Sequence, residues 1–150
     1  MSESVHVRPV RQPSAQWAAQ FLIASELSRR GYLVSFTMGN NTPDADLLVV
    51  PRRTDSPFMV DVKGQWSKST WLVTPKQPRL RLFYILVFLP PTPTGSGRRE
   101  DDQIFILNQD EANKLVKCHA DHHPNDKGKM PGFGWRDALG FKDKWATLPN

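Results

Sequence analysis

Apolar and polar positions alternate in two rhythms along the chain, one helical and one extended, and the switches between them outline the fold. From Ser14, apolar residues recur at helical spacing through Ala24 and Leu27. Ser14 can cap the start after Pro13 and Gly31 can stop the end, so a helix is predicted over about 14–30. Tyr32 to Met38 reads as a strand, and the turn formers GNNTPD follow it. Leu47-Leu48-Val49-Val50, opened by Asp46 and closed by Pro51, suits a buried strand. After the polar loop RRTDSP, Phe58 to Lys63 is predicted as the partner strand of a hairpin, ended by Gly64. Trp71 to Val73 forms a brief strand, and the unbroken apolar run Leu82 to Leu89 is expected of a central strand covered on both faces. The stretch PPTPTGSGRREDD is a loop by composition. Ile104 to Leu107 adds a strand, and a helix runs from Gln109 to about His119, with Asp110 and Glu111 at its positive end. A terminal segment carrying Trp135, Phe141 and Trp145 is expected to dock back on the core. The order of elements predicts one α/β domain, a mixed sheet of four to five strands flanked by helices.

Composition narrows the partners. The 150 residues are 39% hydrophobic and 23% charged, with eight Phe and five Trp, which is enough apolar mass for a packed core. A net charge of +5 and a pI near 9.6 favour a polyanionic partner such as nucleic acid. Cys118 is the single cysteine, so no intramolecular disulfide can form and a reducing cytoplasm is the expected home. No apolar run reaches the length of a membrane span, and the N-terminus lacks the apolar core of a signal peptide, so no membrane partner is expected.

Chemistry is suggested where the two hairpin strands meet. Side chains two apart on a strand share a face, so Asp61 and Lys63 point one way while Val60 and Val62 point the other. If the neighbouring strand sets Asp46 beside Asp61, two carboxylates converge on a hard divalent cation, Mg2+ or Mn2+, which prefers oxygen ligands. Lys63 would then hold or help deprotonate a water, or balance charge on a phosphate. The same spacing also suits a turn-capping Asp46 and a surface ion pair between Asp61 and Lys63. Both Asp61 and Lys63 are expected at the working edge of the sheet rather than in its core. Lys68, Lys76, Arg79 and Arg81, with Arg98 and Arg99 in a neighbouring loop, could track a phosphate backbone or simply form a solvated basic surface. Trp66 and Trp71 could stack on unpaired bases, although a Trp near a strand more often packs in the core or at an edge. Cys118, His119, His122 and His123 cluster in sequence, but they match no known zinc spacing and precede the helix-breaking Pro124.

The succession of a helix ending in Arg-Arg-Gly-Tyr, a strand, Pro43-Asp44-Ala45-Asp46-Leu-Leu-Val-Val, a hairpin and Phe-Met-Val-Asp61-Val-Lys63-Gly resembles the core of the PD-(D/E)xK nuclease superfamily. That superfamily includes restriction enzymes and Holliday junction resolvases, and the resemblance covers roughly residues 14–90. It implies a restriction-endonuclease-like fold and Mg2+- or Mn2+-dependent hydrolysis of DNA phosphodiesters. A homodimer is compatible with it, because cutting two strands takes two active sites. By the resemblance, Asp46 is the first metal-binding acid, with Asp44 as its rival. Asp61 is the second acid, Lys63 the lysine, and Gln65 the polar residue some members place after it. Members often carry a Glu on the first helix facing the metal. Here the register, at about 100° per residue, puts Gln20 on the inward face, whereas Glu26 falls outward beside Arg29 and Arg30. A neutral amide there leaves two other readings open: an inactive nucleic-acid-binding module with a nuclease fold, and a scaffold whose acids are structural.

Overall fold

The computed structural model describes residues 14–37, 45–78, 81–93, 95, 97–126 and 130–150. Helix α1 spans Ala15–Arg29, with the Ser14 hydroxyl accepting the Gln16 amide at 3.2 Å as its N-cap. Gly31, at φ 92°, takes the left-handed conformation that ends the helix and turns the chain into the first strand. The strands are β1 (Leu33–Phe36), β2 (Leu47–Val50), β3 (Phe58–Gln65), β4 (Trp71–Leu72), β5 (Leu82–Phe88), β6 (Gln103–Asn108) and β7 (Gly132–Phe133). Helix α2 spans Gln109–His122, three residues longer than expected, and begins at a capping box between Asn108 and Glu111.

Five strands form a mixed sheet in the order β1-β2-β3-β5-β6, in agreement with the expected α/β class. β1, β2 and β3 are antiparallel neighbours, β3 and β5 run parallel from Met59↔Leu82 to Gln65↔Phe88, and β6 returns antiparallel to β5. Alternation of side chains sends two sets of residues to opposite faces. Val60, Val62, Ile85, Val87 and Ile106 pack with Ala19, Ile23 and Leu27 of α1 on one face. Tyr84, Leu86, Phe105 and Leu107 pack with Ala112 and Val116 of α2 on the other. β5 is buried along nearly its whole length, as its unbroken apolar run predicts.

A parallel connection usually crosses the sheet through a helix. Among the described residues between β3 and β5 there is none, and β4 pairs there with β7 to make a two-stranded sheet over the α2 face. Trp71 and Val73 are buried there, and Trp135 stacks on Trp71 with ring centroids 5.7 Å apart. Trp71 is 1% exposed, so of its two readings core packing holds and it offers no face to a base. Trp66 packs partly buried against the α1-side core.

Gly64 does not end β3, which continues to Gln65, but lets α1 lie directly on it. A Cβ at this position would sit 2.6 Å from both the Ala15 carbonyl oxygen and the Ala19 Cβ. Backbone atoms cannot yield as a flexible side chain can, so Gly64→Ala must push helix and strand apart. The substitution should lower stability by about 1–3 kcal/mol, read as a fall in the urea midpoint at unchanged slope. An unshifted midpoint would show that the helix does not press on the strand here.

Candidate functional site

β3 outruns its neighbour. β2 pairs only with Phe58–Val60, yet β3 extends five residues beyond Val60, and its exposed backbone edge must find other partners. Two side chains replace the missing strand. The Asp46 carboxylate accepts the Val62 N–H through Oδ2 at 2.7 Å, while the Asp46 backbone N–H donates to the Val60 carbonyl at 2.9 Å. The Gln16 amide takes the next groups along, donating to the Val62 carbonyl at 2.6 Å and accepting the Gly64 N–H at 3.3 Å. One turn further along α1, Gln20 Nε2 donates to Asp46 Oδ1 at 3.1 Å. Gln20 is buried and faces inward, on the register the helical period predicts. Glu26 pairs outward with Arg29 and Arg30.

Asp61 stands on the same stretch of β3, next to Tyr84 of β5, and is only 3% exposed. This corrects the expectation of a site at the sheet's edge, for β3 is an interior strand. A buried carboxylate requires compensation, and two lysines supply it. Lys63 Nζ lies 2.8 Å from Oδ1, and Lys76 Nζ forms a close ion pair with Oδ2. The Lys63 contact is poorly angled for a hydrogen bond, which leaves the enclosed Oδ1 without an aligned donor. Lys76 comes from the crossover between β3 and β5. The buried Gln109 amide anchors that segment by donating to the carbonyls of Lys76 and Gln77 at 3.3 and 2.9 Å. The Lys63 side chain is 34% exposed and Lys76 17%, so Lys63 is the more open of the two.

The carboxylates of Asp46 and Asp61 feel each other's charge. Burial raises the Asp46 pKa above the ordinary 3.8; the Val62 hydrogen bond opposes the rise, Asp61 adds to it, and the ammoniums of Lys63 and Lys76 oppose it. The donors around Asp46 are neutral amides, and an all-oxygen pair of carboxylates fits a hard divalent cation. The under-satisfied Asp61 Oδ1 fits it as well. Among the described residues no cluster of three or more His, Cys, Asp or Glu gathers in a metal-binding arrangement.

The other expected residues lie apart from this cluster. Gln65 closes its own turn, donating to the Ser69 carbonyl at 3.2 Å and accepting the Ser69 hydroxyl at 3.3 Å. Lys68 pairs with Glu100 at 3.1 Å, beyond the C-terminal end of β3. Arg81 sits at the opposite end of the parallel pair, donates to the Ser56 carbonyl at 3.0 Å and lines a groove beside the start of α2. Arg79 and Asp44 lie outside the described residues. His122 and His123 direct Nδ1 to the carbonyls of Cys118 and His119 at 2.7 and 3.0 Å. Sequence reading missed Gln16, although its spacing of four from Gln20 on the buried face of α1 was a usable signal.

No protein-family model, no curated protein and no solved structure matches the chain.

The raised Asp46 pKa carries a pH signature. A folded state that holds the proton more tightly than the unfolded chain gains full stabilisation below the unfolded carboxylate value and loses it as pH rises through the raised one. Asp46→Asn removes that titration while keeping an oxygen for the Val62 N–H. In urea unfolding with chelator present, Asp46→Asn should therefore gain stability relative to the wild type as pH rises through this window. A difference that stays constant, or moves the other way, would contradict the burial assigned to the carboxyl.

Proposed function

We propose that this chain is a divalent-metal-dependent nuclease acting on DNA phosphodiesters, with Mg2+ or Mn2+ held by Asp46 and Asp61. The observation that carries the reading is the meeting of two mutually repelling carboxylates with two ammoniums where β2 begins and β3 runs on past it. Such an arrangement is expensive to maintain in a partly buried place unless it serves a cation and a phosphate. The five-stranded mixed sheet with helices on both faces is compatible with a restriction-endonuclease-like fold. The exposed Cys118 thiol suits a reducing cytoplasm.

A bound divalent cation supplies charge stabilisation at the phosphate and acidifies an attacking water. The protein's own residues do the rest. Lys63, the more open of the two ammoniums, orients the water or takes up charge on the phosphate. Lys76, more enclosed, neutralises Asp61 and holds it in place. Gln20 fixes the rotation of the Asp46 carboxylate through its amide N–H. Gln16 keeps β3 extended through the site by closing its open edge.

One observation favours a second reading. Asp46 already accepts from Val62 and Gln20, so it also works as a structural cap on β3 without any metal. A nucleic-acid-binding module that does not cut would look alike in this respect. Labelled DNA incubated with Mg2+ or Mn2+, with and without chelator, separates the two. Cutting should require the cation and should be lost in Asp61→Asn and in Lys63→Ala. Asparagine is preferred to alanine at position 61, where a void beside Lys76 would confuse folding with catalysis. Cleavage at wild-type rate by either variant would remove these residues from the reaction.

Gln20 offers a gain-of-function test. Gln20→Glu removes the N–H donor from Asp46 and sets a third negative charge beside two others, which disfavours the metal-free fold. With cation present the same charge should strengthen binding. Gln20→Glu should thus cut at a lower Mn2+ concentration than the wild type, by about tenfold as an order of magnitude for one added charged contact, while melting lower in chelator. If Gln20→Glu needs as much Mn2+ as Gln20→Ala, the amide does not face the cation site.

A further inference from the structure

Trp17 and Phe21 stand out on α1. Both rings are turned to solvent, 54% and 60% exposed, while their helix buries Ala15, Ala19, Ile23 and Leu27. They stack on each other with centroids 5.9 Å apart, and Phe36 of β1 meets Phe21 edge-on at 5.6 Å. Each exposed ring directly follows one of the glutamines at the Asp46 site, Gln16 or Gln20, about 100° further round the helix. Phe36 pairs with Leu47, and the next residue, Thr37, donates its N–H to the Asp46 carbonyl at 3.0 Å and its hydroxyl to Ala45 at 2.6 Å. The rings and the Asp46 carboxylate therefore occupy one corner of the molecule.

The patch has the size of a ligand moiety, not of a protein interface. A stable dimer needs about 800 Å2 from each partner, whereas two aromatic side chains bury roughly 150–250 Å2 each when wholly covered. The neighbouring exposed apolar residues Leu33 and Leu48 do not extend the patch. They alternate with Val34 and with Leu47 and Val49, which face α1, and so lie on the other side of the sheet. A flat pair of rings on the helix whose glutamines hold Asp46, in a chain of net charge +5, matches a nucleotide, whose base stacks while its backbone reaches the Asp46 site.

We infer that Trp17 and Phe21, backed by Phe36, form a stacking platform for unpaired nucleobases, so that the substrate presented to Asp46 and Asp61 is single-stranded or unpaired nucleic acid rather than continuous duplex. The assignment of substrate class rests on the nuclease reading above; the platform itself can be tested without it. In chelator, where no cutting occurs, a labelled oligothymidylate of about a dozen nucleotides should bind more tightly than a duplex of equal length. Trp17→Ala and Phe21→Ala should each weaken oligothymidylate binding on the order of tenfold, the scale of one base stacked on one ring. Duplex affinity should hold, and Trp17→Phe should restore most of the loss. Both rings are exposed, so melting curves of the variants should match the wild type and keep the comparison clean.

Equal or tighter binding of duplex by the wild type would overturn the inference, as would alanine variants that bind oligothymidylate normally. So would a change from dimer to monomer on substitution with oligonucleotide affinity unaltered, since the patch would then join copies of this chain. A preference for oligothymidylate that depends on the rings, in a protein that never cuts DNA with Mg2+ or Mn2+, would support the platform and overturn the nuclease reading alone.

Discussion

The interaction on which the rest depends is the hydrogen bond from the Val62 amide to the Asp46 carboxylate. β2 is four residues long and β3 eight, so the longer strand leaves backbone groups bare beyond the start of β2. Unpaired backbone groups in a partly buried place cost about as much as lost hydrogen bonds. Asp46 and Gln16 meet that need with side chains, and Gln20 keeps the carboxylate aligned. The same few contacts therefore fasten α1 to the sheet and hold the Asp46 carboxylate against the open edge of β3. Gly64 makes this possible, because only a residue without a side chain lets α1 come near enough for both glutamines to reach.

The opposite face contributes the second half of the site. Asp61 points away from α1, into the region covered by the crossover between β3 and β5. Gln109 of α2 holds the crossover at Lys76 and Gln77, and Lys76 reaches Asp61 from there. The two acids are thus supported by different layers. Asp46 is tied by neutral amides and titrates high, while Asp61 is held between two cations. A divalent cation set between them would relieve the repulsion that the protein alone leaves in place.

Much of this was legible in the chain. The runs Leu47–Val50 and Leu82–Leu89 were strong enough to fix two strands, and the helical period set Gln20 inward on its own. What the sequence hid follows from contacts between distant segments. The depth of Asp61 depends on β3 lying inside the sheet, with β5 as its parallel neighbour, and no local pattern states a strand order. The pairing of Lys76 with Asp61 depends on the path of a crossover with no helical or strand rhythm. Core packing was one of two readings open for Trp71, but a two-residue strand gives too short a pattern to reveal the second sheet that buries it. The exposure of Trp17 and Phe21 is a property of the packed molecule, and the helical period alone does not single them out.

Whether Asp46 and Asp61 form one cation site is decided by the melting temperature as a function of Mn2+ concentration. A ligand that binds only the folded state raises stability by an amount that grows with the logarithm of its concentration, about 2.7 kcal/mol at a hundred times its dissociation constant. The wild type should melt progressively higher as Mn2+ is added, and Asp46→Asn and Asp61→Asn should each lose that response. A wild type indifferent to Mn2+, or a response that survives in either variant, would contradict a shared site and leave the two carboxylates as parts of the framework.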